Sequence, residues 1–338
     1  MSHPPSDIAM RERLVRYADL KPCRNAFVDT YTPGSHEKEN FTIIGPGVSE
    51  NPDQYVHIPE PHGFNIGGAR QPPGCVNSQH SHVSEEVFVV HSGRWAFRWG
   101  VAGSDGEAIL TPGDCISIPV NVFRGFENVG EGIGYLFAVL GGDDPGRVLW
   151  APDVFDKASE YGLVLLENGN LVDTTRGEEV PDDVRPMPRT SAAQVAAHRI
   201  MTSEEMRDCV CTDREQQDAT GIHTDGVAEK PVIGDANPAE DMPAGKLSWP
   251  HGFHLRRLEL SEGRSTPMAA RGEPEVLFVH QGQIQLHWDG GELALQSGDV
   301  FTAPIGVPHA YRHAGGSPAV VFVVRGGDHP SAARRSEV

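Results

Sequence analysis

Two histidines and a glutamate lie close together in the segment GCVNSQHSHVSEEVFVVHSG, residues 74–93. His80 and His82 are one residue apart, so on a β-strand, where side chains alternate between faces, both imidazoles lie on the same face. Glu86 follows four residues after His82, an even spacing, and a tight turn between them can bring its carboxylate to the same point. Two imidazoles and one carboxylate with open coordination positions form the facial triad of non-haem Fe(II) oxygenases. The segment therefore predicts a mononuclear metal site held by these three side chains.

Composition excludes several other classes of function. The chain has 338 residues, 38% of them hydrophobic, and a formal net charge of −19. A nucleic-acid binder needs clustered basic residues to neutralise phosphates, so this charge argues against nucleic acid as a partner. No apolar run reaches the length of a membrane span, and the N-terminal residues lack the apolar core of a signal peptide. Five cysteines, an odd number, favour reduced thiols, and we expect a cytoplasmic protein with no membrane association.

An internal repeat defines the architecture. The segment PHGFNIGGARQPPG at 61–74 aligns with PHGFHLRRLELSEG at 250–263, and GGDDP at 141–145 aligns with GGDHP at 326–330. Within each copy, short runs rich in Val, Ile, Phe and Trp are separated by Gly, Pro, Asn or Asp at intervals typical of a β-sandwich or barrel. The chain is therefore predicted to be all-β, with two copies of one domain.

The first copy carries a recognisable pattern. Its spacing Gly-x5-His-x-His-x3-Glu-x6-Gly, from Gly74 to Gly93, resembles the first motif of the cupin superfamily without a gap. The resemblance implies two tandem jelly-roll (double-stranded β-helix) barrels with short flanking helices. It also implies similarity to the gentisate-type and quercetin-type metal-dependent dioxygenases, two-domain cupins in which one working site is common.

The second cupin motif departs from the family pattern. It reads Gly113-x5-Pro119-x-Asn121-x2-Arg124-x3-Asn128, and Arg124 stands where the family has its fourth metal ligand, a histidine. A guanidinium has no lone pair for a metal. Two interpretations stay open. Arg124 could bind a substrate carboxylate or phenolate beside a metal held by three ligands, or it could pair with Glu86 so that no metal binds.

Three aromatic residues, Trp95, Phe97 and Trp99, alternate along one predicted strand and share a face. We expect them either to line an apolar substrate pocket or to belong to the barrel core.

The second copy has lost the metal ligands. Ala269 and Arg271 occupy the histidine positions, while Glu275 and His309 remain at theirs. We interpret this site as degenerate, with a structural or dimerising role. The alternative is a secondary anion or substrate site built from Arg271 and His309.

These observations predict five regions. They are an N-terminal helix and arm (1–59), a barrel with the metal site (60–147), a partly helical segment with a polar loop (148–249), a barrel with the degenerate site (250–330) and a tail (331–338). Residues 7–18 are predicted to be helical, residues 213–247 to form a long loop or lid, and Thr202 and Glu205 to form a capping box.

The expected activity is O₂-dependent oxidation or ring cleavage of a small aromatic, enolic or diketone substrate. One divalent metal per chain is expected, with Fe(II) favoured over Mn, Ni, Cu or Zn. The other hypotheses are an isomerase, lyase or hydrolase that uses the metal as a Lewis acid, and a cupin that binds a ligand without turnover. A homo-oligomer, most simply a dimer, is expected because exposed jelly-roll edges tend to be covered.

Overall fold

The computed structural model describes residues 7–315 and 318–335. The chain forms two compact units. The first comprises Lys21–Pro61 and Asn65–Val210, and the second comprises the residues through Leu20, His62–Phe64 and the residues from Cys211 onward. No helix in the described part of the chain is long and apolar enough to cross a membrane.

The first unit is built around a jelly roll of two facing sheets. The larger sheet contains β9, β6, β11, β4, β2 and β3 in that order, and the smaller sheet has the order β12-β5-β10-β7-β8. The strands are β2 (Glu39–Ile44), β3 (Val56–Ile58), β4 (Phe64–Gln71), β5 (Val76–Ser81), β6 (Glu86–Ser92), β7 (Trp95–Trp99), β8 (Gly106–Leu110), β9 (Cys115–Ile118), β10 (Arg124–Asn128), β11 (Gly134–Gly141) and β12 (Leu149–Trp150).

The residues that follow the first barrel in the sequence form short elements. They are α2 (Pro152–Glu160), β13 (Leu163–Leu165), β14 (Leu171–Asp173), a 3₁₀ turn (Thr174–Arg176), α3 (Ala192–Ala196), α4 (Ser203–Asp208) and β15 (Val210–Cys211). Helix α4 begins after the capping box predicted from the sequence: the Thr202 side chain accepts from the Glu205 backbone N–H, and the Glu205 side chain accepts from the Thr202 backbone N–H. That prediction is confirmed.

The second unit repeats the jelly roll. Its larger sheet has the order β1-β23-β20-β25-β18-β17-β16, and its smaller sheet has the order β22-β21-β24-β19-β26. The elements are α1 (Asp7–Arg11), β1 (Leu14–Val15), a 3₁₀ turn (Tyr17–Asp19), α5 (Asp213–Asp218), β16 (Ile222–Thr224), β17 (Val227–Ile233), a 3₁₀ turn (Pro238–Glu240), β18 (Phe253–Leu260), β19 (Ala269–Ala270), β20 (Glu275–Gln281), β21 (Gln283–Trp288), β22 (Gly291–Gln296), β23 (Val300–Ala303), β24 (His309–His313), β25 (Ala319–Gly326) and β26 (Arg334–Arg335).

Aromatic packing fills the first barrel. The ring of Phe88 on β6 lies 5.4 Å from that of Phe97 on β7 and 5.2 Å from that of Phe126 on β10, measured between centroids. All three rings are buried. Because β6 belongs to the larger sheet and β7 and β10 to the smaller one, these contacts join the two sheets face to face.

Two predictions of local structure are wrong. The helix expected over 7–18 ends at Arg11, because Leu14 and Val15 pair with Phe301 and Val300 as an edge strand. The stretch 213–247, predicted as a loop or lid, contains α5, β16 and β17. Strand β17 pairs with β18, and its polar residues Glu229 and Lys230 have charged partners in the same unit. Ion pairs therefore allow a polar segment to extend the sheet.

Candidate metal centre

The predicted ligands lie between the two sheets of the first barrel. His80 is on β5 of the smaller sheet, His82 follows the last residue of that strand, and Glu86 opens β6 of the larger sheet. Cross-strand pairing places Arg124 on one side of His80 and Trp150 on the other. A short turn between β5 and β6 thus brings the three side chains together from two facing sheets.

The geometry of the cluster fits a metal. One potential ligand atom from each of His80, His82 and Glu86 lies within 4.8 Å of the other two, and all three residues are buried. His82 Nε2 is 3.7 Å from Glu86 Oε1, and the two imidazole rings are perpendicular with centroids 5.1 Å apart. Among the described residues, this is the one group of three or more His, Cys, Asp or Glu residues placed to hold an ion.

Both imidazoles are in the state that a metal requires. His80 Nδ1 lies 2.7 Å from the carbonyl oxygen of Ser78, so Nδ1 carries the proton and Nε2 keeps its lone pair. Burial, and then the positive charge of Arg124, hold the pKa of His80 and of His82 well below the usual value. Neutral imidazoles are metal ligands at neutral pH.

Arg124 is engaged with the third ligand. Its Nη2 donates to Glu86 Oε2 at 2.5 Å, and its side chain is 1% exposed. Burial lowers the pKa of this guanidinium, and Glu86 opposes that shift. The pair leaves the second carboxylate oxygen, Oε1, on the side of His82. The structure therefore contains the Arg124–Glu86 ion pair that the second interpretation of the sequence required. It also contains the three metal ligands His80, His82 and Glu86 that the first interpretation required.

A small cavity of about 80 Å³ adjoins the cluster. His80, His82 and Glu86 contribute to its wall, and so do the aromatic side chains Phe27, Phe41, Phe88, Phe126 and Trp150. Polar groups come from Asn40, Asn65, Asn77 and Gln54. None of the residues that form this wall is a lysine or an arginine. Arg124 does not line the cavity, and its guanidinium donates to Glu86.

Trp95, Phe97 and Trp99 do not line this cavity, which favours the barrel core over the substrate pocket, the two places expected for them. All three are buried in the core. Phe97 packs on Phe126 with centroids 5.6 Å apart, and the indole N–H groups of Trp95 and Trp99 donate to the backbone carbonyls of Ser92 and Met201. These three side chains therefore belong to the packed interior of the barrel and stabilise the fold.

Sequence reasoning missed Trp150 and Glu50. The Trp150 ring lies 5.3 Å from that of His80, and its Nε1 donates to Glu50 Oε1 at 2.6 Å. Glu50 Oε2 accepts from the Val28 backbone N–H at 2.7 Å, and burial raises the pKa of Glu50 to about 8. The contacts are remote in sequence, so no local spacing signals them. The one sequence feature that could have pointed to Trp150 is its position shortly after the closing GGDDP segment, residues 141–145.

The second barrel contains no comparable donor set among its described residues. Glu275 Oε2 accepts from Arg325 Nε at 2.5 Å, while Arg271 Nε is 3.6 Å from the same oxygen. Glu275 Oε1 accepts from the hydroxyl of Tyr311 and is 3.2 Å from His309 Nε2. Ala269, which pairs with His309, offers no ligand.

Arg325 is the residue of this cluster that the sequence reading overlooked. It was visible as a single charge near the end of the apolar run AVVFVVRG.

Comparison with known proteins identifies both barrels. The chain matches the family described as "Cupin domain" twice, over residues 69–140 and 256–325. It is 28% identical over 142 residues to the germin-like protein subfamily 1 member 4 of Arabidopsis thaliana, a match that covers 40% of this chain and 63% of that protein. The chain therefore spans somewhat less than two thirds of the length of this curated relative.

Solved structures extend the similarity over nearly the whole chain. The oxalate decarboxylase of Lactobacillus farciminis, solved as a formate complex, has a TM-score of 0.56 at 11% identity, covering 94% of this chain and 87% of its own. A variant of the Bacillus subtilis enzyme has a TM-score of 0.57 at 12% identity, covering 99% and 86%. At this identity the likeness concerns the fold. Each barrel thus matches a cupin domain, which gives the chain the two-domain architecture called a bicupin.

Proposed function

We propose that this bicupin is a metal-dependent dioxygenase that oxidises a small, uncharged enolic, diketone or aromatic substrate at the first barrel, with Fe(II) as the metal. The observation that carries the proposal is the meeting of two neutral imidazoles and one carboxylate at the wall of a cavity. Such a donor set with open positions suits non-haem iron. Bound there, Fe(II) would supply the one-electron chemistry that reaction with O₂ requires.

The chain's own residues set the conditions of the site. His80 Nε2, His82 Nε2 and Glu86 Oε1 are the atoms that would hold the metal. Arg124 occupies Glu86 Oε2, so it fixes the orientation of the carboxylate and offsets part of its charge. Phe88, Phe126 and Trp150 give the cavity beside the cluster an apolar surface for the substrate.

The charge of the cavity favours an uncharged substrate. Recognition of a carboxylate or a dicarboxylate commonly uses Arg or Lys side chains. The wall of this cavity has neither, and Arg124 is already paired. The amide groups of Asn40, Asn77 and Gln54 can instead contact a carbonyl or an enol oxygen.

A lyase that uses the metal as a Lewis acid is the second candidate. It is favoured by the similarity in fold to two oxalate decarboxylases over 94% and 99% of this chain. A third candidate, ligand binding without turnover, would follow if the Arg124–Glu86 pair prevents metal binding.

Metal analysis of the full-length protein tests the proposal. We would compare the wild type with His80→Ala/His82→Ala and with a matched control, His36→Ala/His223→Ala, which removes two exposed histidines. We expect about one iron per chain in the wild type and the control and none in the first variant. When β-diketones or catechols are added, we expect oxygen uptake from the proteins that retain iron and none from the protein that lacks it.

The other outcomes separate the candidates. CO₂ release from oxalate without net oxygen uptake would favour the lyase. Failure of the wild type to retain any divalent metal after anaerobic reconstitution with Fe(II) would reject both metal-dependent functions and leave ligand binding.

A further inference from the structure

The C-terminal barrel contains a cavity much larger than the one beside the metal cluster of the N-terminal barrel. Its volume is about 690 Å³, within the range of roughly 300–1,000 Å³ typical of small-molecule sites. Ala269, Arg271, Glu275 and His309 all line it. These are the positions that correspond to the metal cluster and Arg124 of the first barrel, so the cavity lies where that barrel has its candidate metal site.

Two replacements explain the difference in volume. Ala269 stands at the position of His80, so an imidazole is missing from the floor. Arg335 on β26 pairs with Ala269 as Trp150 on β12 pairs with His80, and Arg335 is exposed whereas Trp150 is buried. The second barrel therefore lacks both the ring and the indole that fill the corresponding space in the first.

Six buried or largely buried charges surround the floor, three of each sign. Arg256 donates to Glu229 at 3.1 Å and to Glu240 at 2.6 Å, and Arg325 donates to Glu229 and to Glu275 at 2.5 Å each. Arg271 donates to Glu240. Each of these three carboxylates thus contacts two guanidiniums, and a fourth carboxylate, that of Glu273, lies 3.9 Å from Arg271.

Several polar atoms of this network remain available to a ligand. Nη2 of Arg271 and Nη2 of Arg325 make no hydrogen bond to any residue that the structure describes, and neither does Oε2 of Glu229. All three side chains line the cavity. Guanidinium N–H groups donate and carboxylate oxygens accept, so the same wall offers both kinds of hydrogen bond.

We propose that the C-terminal barrel binds a neutral, polyhydroxylated small molecule, a monosaccharide or a cyclic polyol, in this cavity. A hydroxyl group donates and accepts at once, which matches a wall that presents free donors beside a free acceptor. Every guanidinium of the network is paired with carboxylates, so the network holds no excess positive charge for an anionic ligand. The apolar side chains of Val227, Leu258 and Pro238 form another part of the wall, against which the C–H groups of a sugar ring can pack. The proposal is independent of the reaction proposed for the first barrel.

Calorimetry and thermal shift on the full-length protein test this assignment. The probes are glucose, galactose, arabinose, myo-inositol and glycerol, with succinate, citrate and phosphate as anionic comparisons. Ala269→Leu narrows the floor of the cavity without removing a charge, and Arg271→Lys keeps the charge but loses the planar guanidinium. The matched control is His80→Ala/His82→Ala, which alters the first barrel.

We expect saturable binding of at least one neutral probe by the wild type and by the control. Ala269→Leu and Arg271→Lys should each weaken that binding about tenfold, with melting temperatures of the unliganded variants close to that of the wild type. Three results would overturn the proposal: no neutral probe binds, binding is undiminished in both variants, or the anions bind more tightly than every neutral probe. If Ala269→Leu does not fold, Arg271→Lys decides alone, and undiminished binding would reject the site.

Discussion

Arg124 and Glu86 form a buried ion pair inside the first barrel, with 2.5 Å between Nη2 and Oε2. The second barrel keeps the glutamate as Glu275 but neutralises it with Arg325, from a different strand. Arg325 pairs across the sheet with Glu275 just as Leu140 pairs with Glu86. In the first barrel the carboxylate therefore keeps an oxygen free beside two imidazoles, whereas in the second it is enclosed by guanidiniums, a hydroxyl and one imidazole.

Removal of Arg124 should destabilise the metal-free protein strongly. Arg124→Gln leaves Glu86 buried without its counter-charge, a change that costs about 3–5 kcal/mol. A divalent cation bound at the cluster would supply the missing charge. We therefore expect the melting temperature of Arg124→Gln to rise more on metal addition than that of the wild type, measured after chelation and again after reconstitution.

Arg98→Gln is the matched control for this substitution. Arg98 pairs with Glu107 and Glu127 at the surface, where its side chain is 36% exposed. The loss of such a pair costs about 1 kcal/mol or less. Equal destabilisation by Arg98→Gln and Arg124→Gln would show that the buried pair has no special role.

Phe97 should behave as a core residue. Phe97→Ala removes a ring packed between Phe88 and Phe126 and is expected to lower the free energy of unfolding by about 3–5 kcal/mol. Ile109→Ala, on the neighbouring strand at a position that is 40% exposed, should change it by about 0.5 kcal/mol or less. Urea denaturation measures both. If Phe97→Ala is as stable as Ile109→Ala, Phe97 does not contribute to the core in the way proposed, and the interpretation of Phe97 as a pocket residue would be favoured.

Glu50 should make stability fall as the pH rises. Its pKa is raised from 4.5 to about 8 by burial, so between those values the folded state binds more protons at this site than the unfolded state. The free energy of unfolding therefore decreases with increasing pH across this window, by at most about 5 kcal/mol in total.

The slope between pH 6 and pH 9 is the quantity to measure. Denaturation midpoints at several pH values should fall less steeply for Glu50→Gln than for the wild type. Glu167→Gln, at an exposed position, should leave the slope unchanged. An identical slope in wild type and Glu50→Gln would mean that Glu50 is ionised throughout this range.

The two motif glycines should differ in their tolerance of a side chain. Both have positive φ, 74° at Gly74 and 86° at Gly93. A Cβ at Gly93 would lie 2.7 Å from the Cα of Gly134, whereas a Cβ at Gly74 would meet nothing within 4 Å. Gly74→Ala is expected to cost about 1–2 kcal/mol for the left-handed backbone alone. Gly93→Ala should cost more, because backbone atoms must also move. Thermal denaturation that ranks the variants in the opposite order would contradict this.

The sequence by itself determined the features that depend on short spacings. Alternation along a strand and a four-residue turn are enough to bring His80, His82 and Glu86 together, and the repeat showed that the second copy has Ala269 and Arg271 instead. The two jelly rolls followed from the same alternation, read with the cupin pattern, and the Thr202 capping box followed from a three-residue spacing.

Only the tertiary structure decided which distant residues meet. The partner of Arg124 stayed open in the sequence because a guanidinium can bind a substrate or a carboxylate, and the choice depends on how two facing sheets place it. Trp150 beside His80 and Arg325 beside Glu275 are products of strand pairing between remote segments. The helix expected over 7–18 and the loop expected over 213–247 were wrong for the same reason, since pairing with β23 and β18 outweighs local propensity.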